Sequence, residues 1–454
     1  MKKQKQIMMT EGKLFPNIVL FSLPLMLSNI LQVLFNMSDI AVVGKFASGP
    51  EPLGSVGSCA IPVSLFTGLL IGMGGGINAI TARYLGAGDR DKVRKTTHTS
   101  LIISLAYGIL IMIIGLLVIE PLLVLLGTKE ELIDGAILYM KVYLLGSPAL
   151  ALYNYGNGVL SAAGDPKHPL YYLSAAGVIN ILLNLFFVIV CRLDVLGVAL
   201  ASIISQYLSS VLILIRLFRT KDMHSLTFAE LAVDKSVAKS VLMLGIPAGL
   251  QNAIFAVANL FIQAAVNSFD AVVVEGNSAA ANADAFIYDL MAAIYVACTT
   301  FMSQNLGAGK KDRVLKSYII TILYSFIAAL VFGVLLFIFG REFMGIFTNS
   351  DAVVEAGINR LSIMAFSYCI SAFMDCTIAA SRGLGKTVIP TIIVITGSCV
   401  FRIIWVYTIF AHFHTIPSLY LLYAFSWAIT ALAETIYFLC CFRKLNAAPT
   451  VAAE

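Results

Sequence analysis

Four polar side chains recur at helical spacing in an otherwise apolar stretch near the N-terminus. Asn29, Gln32, Asn36 and Asp39 are separated by three, four and three residues. At about 100° per residue, this spacing places them on one narrow stripe of a helix. A carboxylate among carboxamides can hold Na⁺ through its oxygen atoms, or carry a proton where burial favours the neutral acid. Asp39 is therefore the candidate cation-binding residue, and the alternative is an aspartate that only fixes helix packing.

The helices that position these groups are membrane-spanning. Hydrophobic residues make up 59% of the 454 residues, charged residues 12%, and mean hydropathy is +0.91, whereas a soluble chain carries about 25% charged residues. Uncharged stretches such as 101–119 and 318–340 reach the roughly 20 residues that a membrane-crossing helix needs. The sequence therefore predicts an all-α polytopic membrane protein. Its twelve expected spans are 16–44, 53–82, 97–119, 132–162, 169–191, 195–218, 240–267, 276–304, 317–340, 353–381, 388–411 and 418–440.

A glycine-rich phrase occurs twice in the chain. ARYLGAGDRDKVRK (82–95) and SQNLGAGKKDRVLK (303–316) agree at seven of fourteen positions, 221 residues apart, and each closes a span. Asn29 and Asn36 recur as Asn252 and Asn259. Six helices have been duplicated, and because six is even, both copies keep one orientation, which suits two pseudo-symmetric six-helix lobes around a central cleft. The glycines are expected to end helices, since the strand and lysine of a phosphate-binding P-loop are missing.

The basic residues predict the orientation in the membrane. On this span map, 23 of the 30 Lys and Arg residues fall on the side of the N-terminal tail, which indicates the cytoplasm. The expected order is a cytosolic tail (1–15), an N-lobe (16–218), a cytosolic linker (219–239), a C-lobe (240–441) and a second cytosolic tail (442–454). We expect a multi-pass protein of the bacterial inner membrane with both termini in the cytoplasm. The basic excess then contacts anionic lipids, and no nucleic-acid partner is expected.

Other polar residues accompany Asp39 inside the predicted spans. Span 5 places Asn180 and Asn184 on one helical face, and the counterpart of Asp39 in span 7 is Ile262, so the carboxylate belongs to one half only. The residues expected to line the substrate cleft are Gln32, Asn36, Asn154, Gln251, Asn259, Asp289 and Asp375.

Three further charges are expected to be structural. Asp284 shares the start of span 8 with Asp289, Arg402 is expected to neutralise an acid, and Glu434 is expected to reach water by snorkelling.

Enzymatic chemistry is not indicated. The sequence contains no HExxH, GxSxG or paired catalytic motif, and its eight cysteines show no metal-ligand spacing. We therefore expect a transporter without a cofactor, acting as a monomer.

The sequence resembles the multidrug and toxic compound extrusion (MATE) family over essentially its whole length. The matching elements are the proline-led span 1 with Asp39, the doubled LGAG loops, and the stretch from Asn180 to GVALAS (197–202). The resemblance implies a V-shaped central cleft and export of organic cations in exchange for Na⁺ or H⁺. It also implies a cation-coupling site formed by Asp39 with Asn180, Asn184 and Ser202.

This chain departs from the family pattern at two positions. Many relatives have Asp where this chain has Asn184, and some have Glu in span 7, where this chain has Gln251 and Phe255. A sodium site built on that glutamate is therefore not expected. The alternative function is a lipid-linked oligosaccharide flippase of the same superfamily. A pyrophosphate cargo needs a strongly cationic cleft, which the many acids and amides of the spans do not favour.

Overall fold

Long helices account for the secondary structure of the chain in a computed structural model that describes residues 7–49 and 51–447, apart from the side chain of Asn36. The helices are α1 (Leu14–Phe46), α2 (Glu51–Ser58), α3 (Ala60–Ala87), α4 (Arg90–Leu125), α5 (Glu130–Leu144), α6 (Ser147–Ala162), α7 (Lys167–Leu185), α8 (Asp194–Arg219), α9 (Lys235–Val266), α10 (Ala271–Gly307), α11 (Lys311–Ile338), α12 (Gly340–Gly345), α13 (Asp351–Gly383), α14 (Val388–Val394), α15 (Phe401–Trp405), α16 (Ala411–Phe413) and α17 (Ile416–Ala447). Segments of π-helix at Phe186–Val190, Ile395–Val400 and Val406–Phe410 extend α7 and join α14 to α16.

The expected twelve spans are present in the described part of the chain. Eleven helical segments there are long and apolar enough to cross a membrane, and the pair formed by α5 and α6 makes a twelfth. The predicted span 132–162 is therefore broken, with a bend of 47°. Gly146 lies in the break, where a Cβ atom would come within 2.1 Å of Gln206 Oε1. Pro148 follows in the first turn of α6, the position that tolerates proline best.

The chain divides into two compact units. The first unit contains Leu23–Ala253 together with the chain up to Met8, and the second contains Met9–Ser22 and everything from Ile254 onward. The division runs through two helices, so α1 and α9 each contribute one part to the first unit and one part to the second. Pro24 in α1 and Pro247 in α9 lie close to these division points.

The two units repeat the same internal contacts. In the first unit, Asn78 Nδ2 donates to the backbone oxygen of Gly158 at 3.1 Å, which joins α3 to α6. In the second unit, Thr299 Oγ1 donates to the backbone oxygen of Ala379 at 2.9 Å, which joins α10 to α13. Both partners are displaced by the same 221 residues that separate the LGAG loops. The predicted duplication is therefore confirmed in the packing.

The repeated glycines end helices, as predicted. Gly88 has φ +71° and its N–H donates to the backbone oxygen of Leu85. Gly309 has φ +69° and donates in the same way to Leu306. A positive φ is available to glycine at no steric cost, and in the first unit Asp89 then caps α4 by accepting from the N–H of Lys92.

Glycine also permits the closest helix contact in the first unit, between α3 and α9. A Cβ atom on Gly72 would lie 2.1 Å from the backbone nitrogen of Gly249, and one on Gly76 would lie 2.6 Å from that of Gly245. Small residues allow membrane helices to pack through their backbones, where dispersion and weak hydrogen bonds replace the hydrophobic effect.

This contact predicts opposite outcomes for two neighbouring substitutions. G72A forces the α3 and α9 backbones apart and is expected to destabilise the protein by about 1–3 kcal/mol, as overpacking does. Gly75 has nothing within 4 Å of its Cβ position, so G75A is expected to be neutral or to stabilise by up to about 1 kcal/mol through helix propensity. Thermal unfolding of the purified variants measures both, and equal melting temperatures for G72A and G75A would contradict the contact.

Candidate functional site

Asp39 lies inside the first unit, in contact with side chains from two other helices. Its side chain is 8% exposed. Oδ1 accepts a hydrogen bond from Asn184 Nδ2 of α7 at 2.5 Å, and Oδ2 accepts one from Ser202 Oγ of α8 at 3.0 Å. Asn184 Nδ2 also donates to Asn180 Oδ1 at 3.2 Å. The structure therefore brings together all four residues of the predicted coupling site, which we call the Asp39 cluster.

Local sequence explains why these side chains meet. Asn180 and Asn184 are one turn apart on α7 and thus share a face. Three residues before Asn180, Gly177 packs directly against the Phe35 ring of α1, where a Cβ atom would come within 1.6 Å of the ring. The close approach of α1 and α7 at this glycine lets a short aspartate side chain reach Asn184. The π-helical segment that follows α7 begins at Phe186, just beyond the cluster, and such segments often mark functional sites.

The cluster offers oxygen atoms to a cation. Asn184 Oδ1 is buried and has no hydrogen-bond partner among the described residues, while Asn180 Oδ1 and the two Asp39 oxygens accept from N–H and O–H donors. Buried polar atoms are normally paired, and an unpaired one calls for an explanation such as an ion. Carboxylate, carboxamide and hydroxyl oxygens are hard ligands suited to Na⁺, and the carboxylate alone can bind H⁺.

The predicted substrate-cleft residues of the first unit lie in different environments. Gln32 is exposed, Gln251 on α9 is buried, and Asn154 on α6 is half-buried and donates to the backbone oxygen of Leu150 at 2.9 Å. Asn36 is on α1, but its side chain lies outside the described part of the structure.

The predicted substrate-cleft residues of the second unit also remain apart from one another in sequence and environment. Asn259 on α9 is exposed and Asp289 on α10 is half-buried. Asp375 on α13 accepts a hydrogen bond from Ser371 Oγ at 2.8 Å, one turn earlier in the same helix. Asp375 and Asn154 are 221 residues apart, so both repeats satisfy a polar side chain at this level within its own helix. Among the described residues, no three His, Cys, Asp or Glu side chains form a metal-binding group.

Two charges in the second unit are paired in ways the sequence did not predict. Asp284 forms a buried ion pair with Arg360, whose guanidinium also donates to Asn277 Oδ1. Arg402 donates from Nε to Ser426 Oγ at 3.1 Å, and its guanidinium lies 4.5 Å from the centre of the Tyr423 ring. Aromatic faces attract a guanidinium, so the ring environment contributes to holding Arg402 in the interior.

The expectation that Glu434 snorkels to water is wrong. The side chain is 0% exposed and points into the second unit from α17. Snorkelling requires a long flexible stem near a helix end, whereas Glu434 lies 13 residues before the last residue of α17, Ala447, and its face of the helix packs against neighbours. Reading the repeat at an offset of 221 would have flagged it, since the equivalent position of α8 is the buried Ile213.

The fold and the site together define a class, that of duplicated helical transporters with a polar cation-binding cluster in one half. Comparison with known proteins agrees. The MatE family model matches residues 24–186 and again 247–408, once in each half of the chain. The chain therefore belongs to the MATE family. Members of this family are transporters that need no cofactor, so the prediction that the protein is not an enzyme is confirmed.

Individual relatives cover most of the chain. "Probable multidrug resistance protein YpnP" of Bacillus subtilis (strain 168) is 29% identical over 360 residues, which are 79% of this chain and 80% of the relative. "FAD transporter" of Shewanella oneidensis is 26% identical over 349 residues, 74% of each chain. A solved structure described as the outward-facing conformation of a multidrug resistance MATE family transporter of the MOP superfamily has a TM-score of 0.90 at 24% identity, covering 99% of this chain and 100% of that one. This last likeness confirms the predicted fold.

The cluster geometry predicts different effects for two serines on α8. S202A removes the donor to Asp39 Oδ2 and is expected to destabilise the protein by about 1.5–3 kcal/mol, the range for a hydrogen bond to a charged group. Ser205 is the matched control, because its Oγ donates to the backbone oxygen of Ala201 in the same helix at 2.8 Å. Thermal unfolding at neutral pH compares the two, and an S202A protein as stable as S205A would show that Ser202 does not support Asp39.

Proposed function

We propose that the protein is a secondary active multidrug efflux transporter, which exports organic, mostly cationic amphipathic compounds in exchange for H⁺ or Na⁺ by alternating access. Family membership supports transport. The Asp39 cluster carries the proposal of ion coupling.

The energetic argument starts from the cost of an ionised carboxylate inside the bilayer. A charge at the centre of a membrane helix costs roughly 2.5–3.5 kcal/mol on insertion scales. Asn184 and Ser202 offset part of this cost for Asp39 through their hydrogen bonds. A bound cation offsets the rest, whether it is a proton on the carboxyl group or Na⁺ shared with the carboxamide oxygens. A state of the protein in which Asp39 is more hydrated releases that cation more readily, so cation binding biases the equilibrium between states.

The same electrostatics links cation and cargo. A positively charged organic compound and an inorganic cation are both attracted to carboxylates of the spans, so occupancy by one opposes occupancy by the other. Aromatic side chains add cation–π attraction and apolar contact area. We assign the cargo contacts to Gln32, Asn36, Asn154, Gln251, Asn259, Asp289 and Asp375.

The membrane placement completes the proposal. Residues 16–218 and 240–441 form the two lobes, and the linker 219–239 and both termini face the cytoplasm of a bacterial inner membrane. The protein acts as a monomer in contact with membrane lipids. The linker is well ordered against the first lobe, since the backbone N–H of Thr227 donates to His98 Nε2 at 3.1 Å and Thr99 Oγ1 donates to the backbone oxygen of Ala232 at 3.3 Å.

The deciding experiment reconstitutes the purified protein in liposomes and imposes Na⁺ and H⁺ gradients separately. Ethidium serves as the cationic cargo, and FAD serves as an anionic cargo because one relative bears the name FAD transporter. Ethidium movement driven by one of the two gradients supports drug–cation exchange and identifies the coupling ion. Movement of FAD alone would overturn the cationic cargo class, and ethidium movement without either gradient would overturn coupling.

Removing the charge of Asp39 is expected to abolish coupled efflux. D39N keeps the size of the side chain but cannot be ionised, so gradient-driven ethidium efflux should fall by at least about tenfold, the effect of roughly 1.4 kcal/mol. D194N is the matched control, because Asp194 is exposed and accepts its hydrogen bonds from Ser48. Wild-type efflux by D39N, in protein that elutes as a single folded species, would remove the coupling role.

A further inference from the structure

Glu434 is a second buried carboxyl group whose surroundings differ from those of Asp39. Its side chain is 0% exposed, and neither Oε1 nor Oε2 has a hydrogen-bond partner among the described residues. Asp39, in contrast, accepts hydrogen bonds from Asn184 and Ser202. A carboxylate loses its hydration on burial, and at Glu434 it gains no hydrogen bond in return. The neutral acid is therefore the form that this environment accommodates.

Few charged or titratable groups act on Glu434. Arg382, near the end of α13, is the positive charge whose field reaches it, and Arg382 has further partners of its own. Tyr437, on α17 itself, is the neighbouring phenol, and Cys441 follows it one turn later. The field of Arg382 favours the carboxylate, but Arg382 supplies a hydrogen bond to neither oxygen. Desolvation without hydrogen bonds weighs against the ion.

Glu434 continues a polar row on α17. Ser426, Thr430 and Glu434 follow one another at intervals of four residues, which places them on one face of the helix. Ser426 Oγ accepts from Arg402 Nε, and Thr430 Oγ1 is hydrogen-bonded to Ser398 Oγ at 2.9 Å. Ser398 lies in the π-helical segment Ile395–Val400. The first two members of the row are thus paired across helices, and Glu434 is the member without a hydrogen bond.

The internal repeat shows that the fold does not require an acid at this position. The buried residues of α8 recur as buried residues of α17 at the offset of 221. The equivalent trios are Ser205, Ser209 and Ile213 in α8 and Ser426, Thr430 and Glu434 in α17. Ile213 is 0% exposed and packs in an apolar cluster with Tyr155 and Leu217. One half therefore fills the position with a hydrocarbon side chain, whereas the other half carries a carboxyl group.

We propose that Glu434 is a proton-binding site of the second unit, which holds a proton on its carboxyl group in the state described here and exchanges it with water in another state of the transport cycle. In that exchange the O–H bond breaks, the electron pair stays on the carboxylate, and the proton passes to a water molecule. A proton suits the site because it needs one oxygen atom, whereas Na⁺ needs several. The role in the cycle rests on the proposed function, but the protonation of Glu434 does not.

Infrared spectroscopy of the purified full-length protein tests the protonation directly. At neutral pH, the wild-type spectrum should contain a C=O stretching band of a protonated carboxylic acid that E434Q lacks and D39N retains. E355Q is the matched control, because Glu355 is exposed and paired with Arg341. If E434Q folds poorly, E434I replaces it, since isoleucine is the residue of the equivalent position in α8. A band of equal intensity in wild type and both Glu434 variants would overturn the proposal.

Transport by the same variants tests the role in the cycle. Ethidium efflux driven by a pH gradient in proteoliposomes should fall about tenfold or more in E434Q and stay at the wild-type level in E355Q. Unchanged efflux by E434Q would overturn the role in the cycle. Wild-type efflux by D39N would instead contradict the proposed function and leave the infrared result for Glu434 standing, so the two failures are distinguishable.

Discussion

An ionisable carboxyl group inside a membrane protein needs a partner, a proton or a cation, and this requirement governs the arrangement of both halves of the chain. Asp39 meets it with donors from two helices, which Gly177 allows to approach closely. The resulting group of oxygen atoms includes one carboxamide oxygen without a hydrogen-bond partner in the described structure. A site of this kind is stable when occupied by a cation and strained when empty. That difference is what a coupled transporter can use, since only differential binding shifts a conformational equilibrium.

The duplication supplies the scaffold, and the differences between the copies supply the chemistry. The hydrogen bonds from Asn78 to Gly158 and from Thr299 to Ala379 are equivalent and hold equivalent helix pairs together. The acids are not equivalent, because Asp39 corresponds to Ile262, and Glu434 corresponds to Ile213. Both isoleucines are buried. Each half thus carries a buried acid where the other half packs a hydrocarbon side chain.

Much of the fold follows from the sequence, because length, hydropathy and repetition are properties that a chain displays openly. The twelve spans and the helix-ending glycines depend on local rules of this kind. The contact of Asn180 with Asn184 also follows from helical spacing, but their meeting with Asp39 came from resemblance to a family, since spacing cannot show which helices touch. The break at Gly146 was missed because an apolar run does not reveal where Gln206 will press against the backbone. Glu434 was misplaced because a glutamate near a helix end looks free to reach water until the neighbouring helices are known.

The most direct test of the central claim is to count the cations that leave the protein when cargo binds. Ethidium is added to purified transporter in weakly buffered, detergent-containing solution, while a pH indicator follows proton release and radioactive sodium follows Na⁺ displacement. The account predicts that wild-type protein releases H⁺ or Na⁺ on ethidium binding and that D39N releases fewer cations per bound ethidium. Ethidium binding to wild-type protein without release of either cation would contradict it.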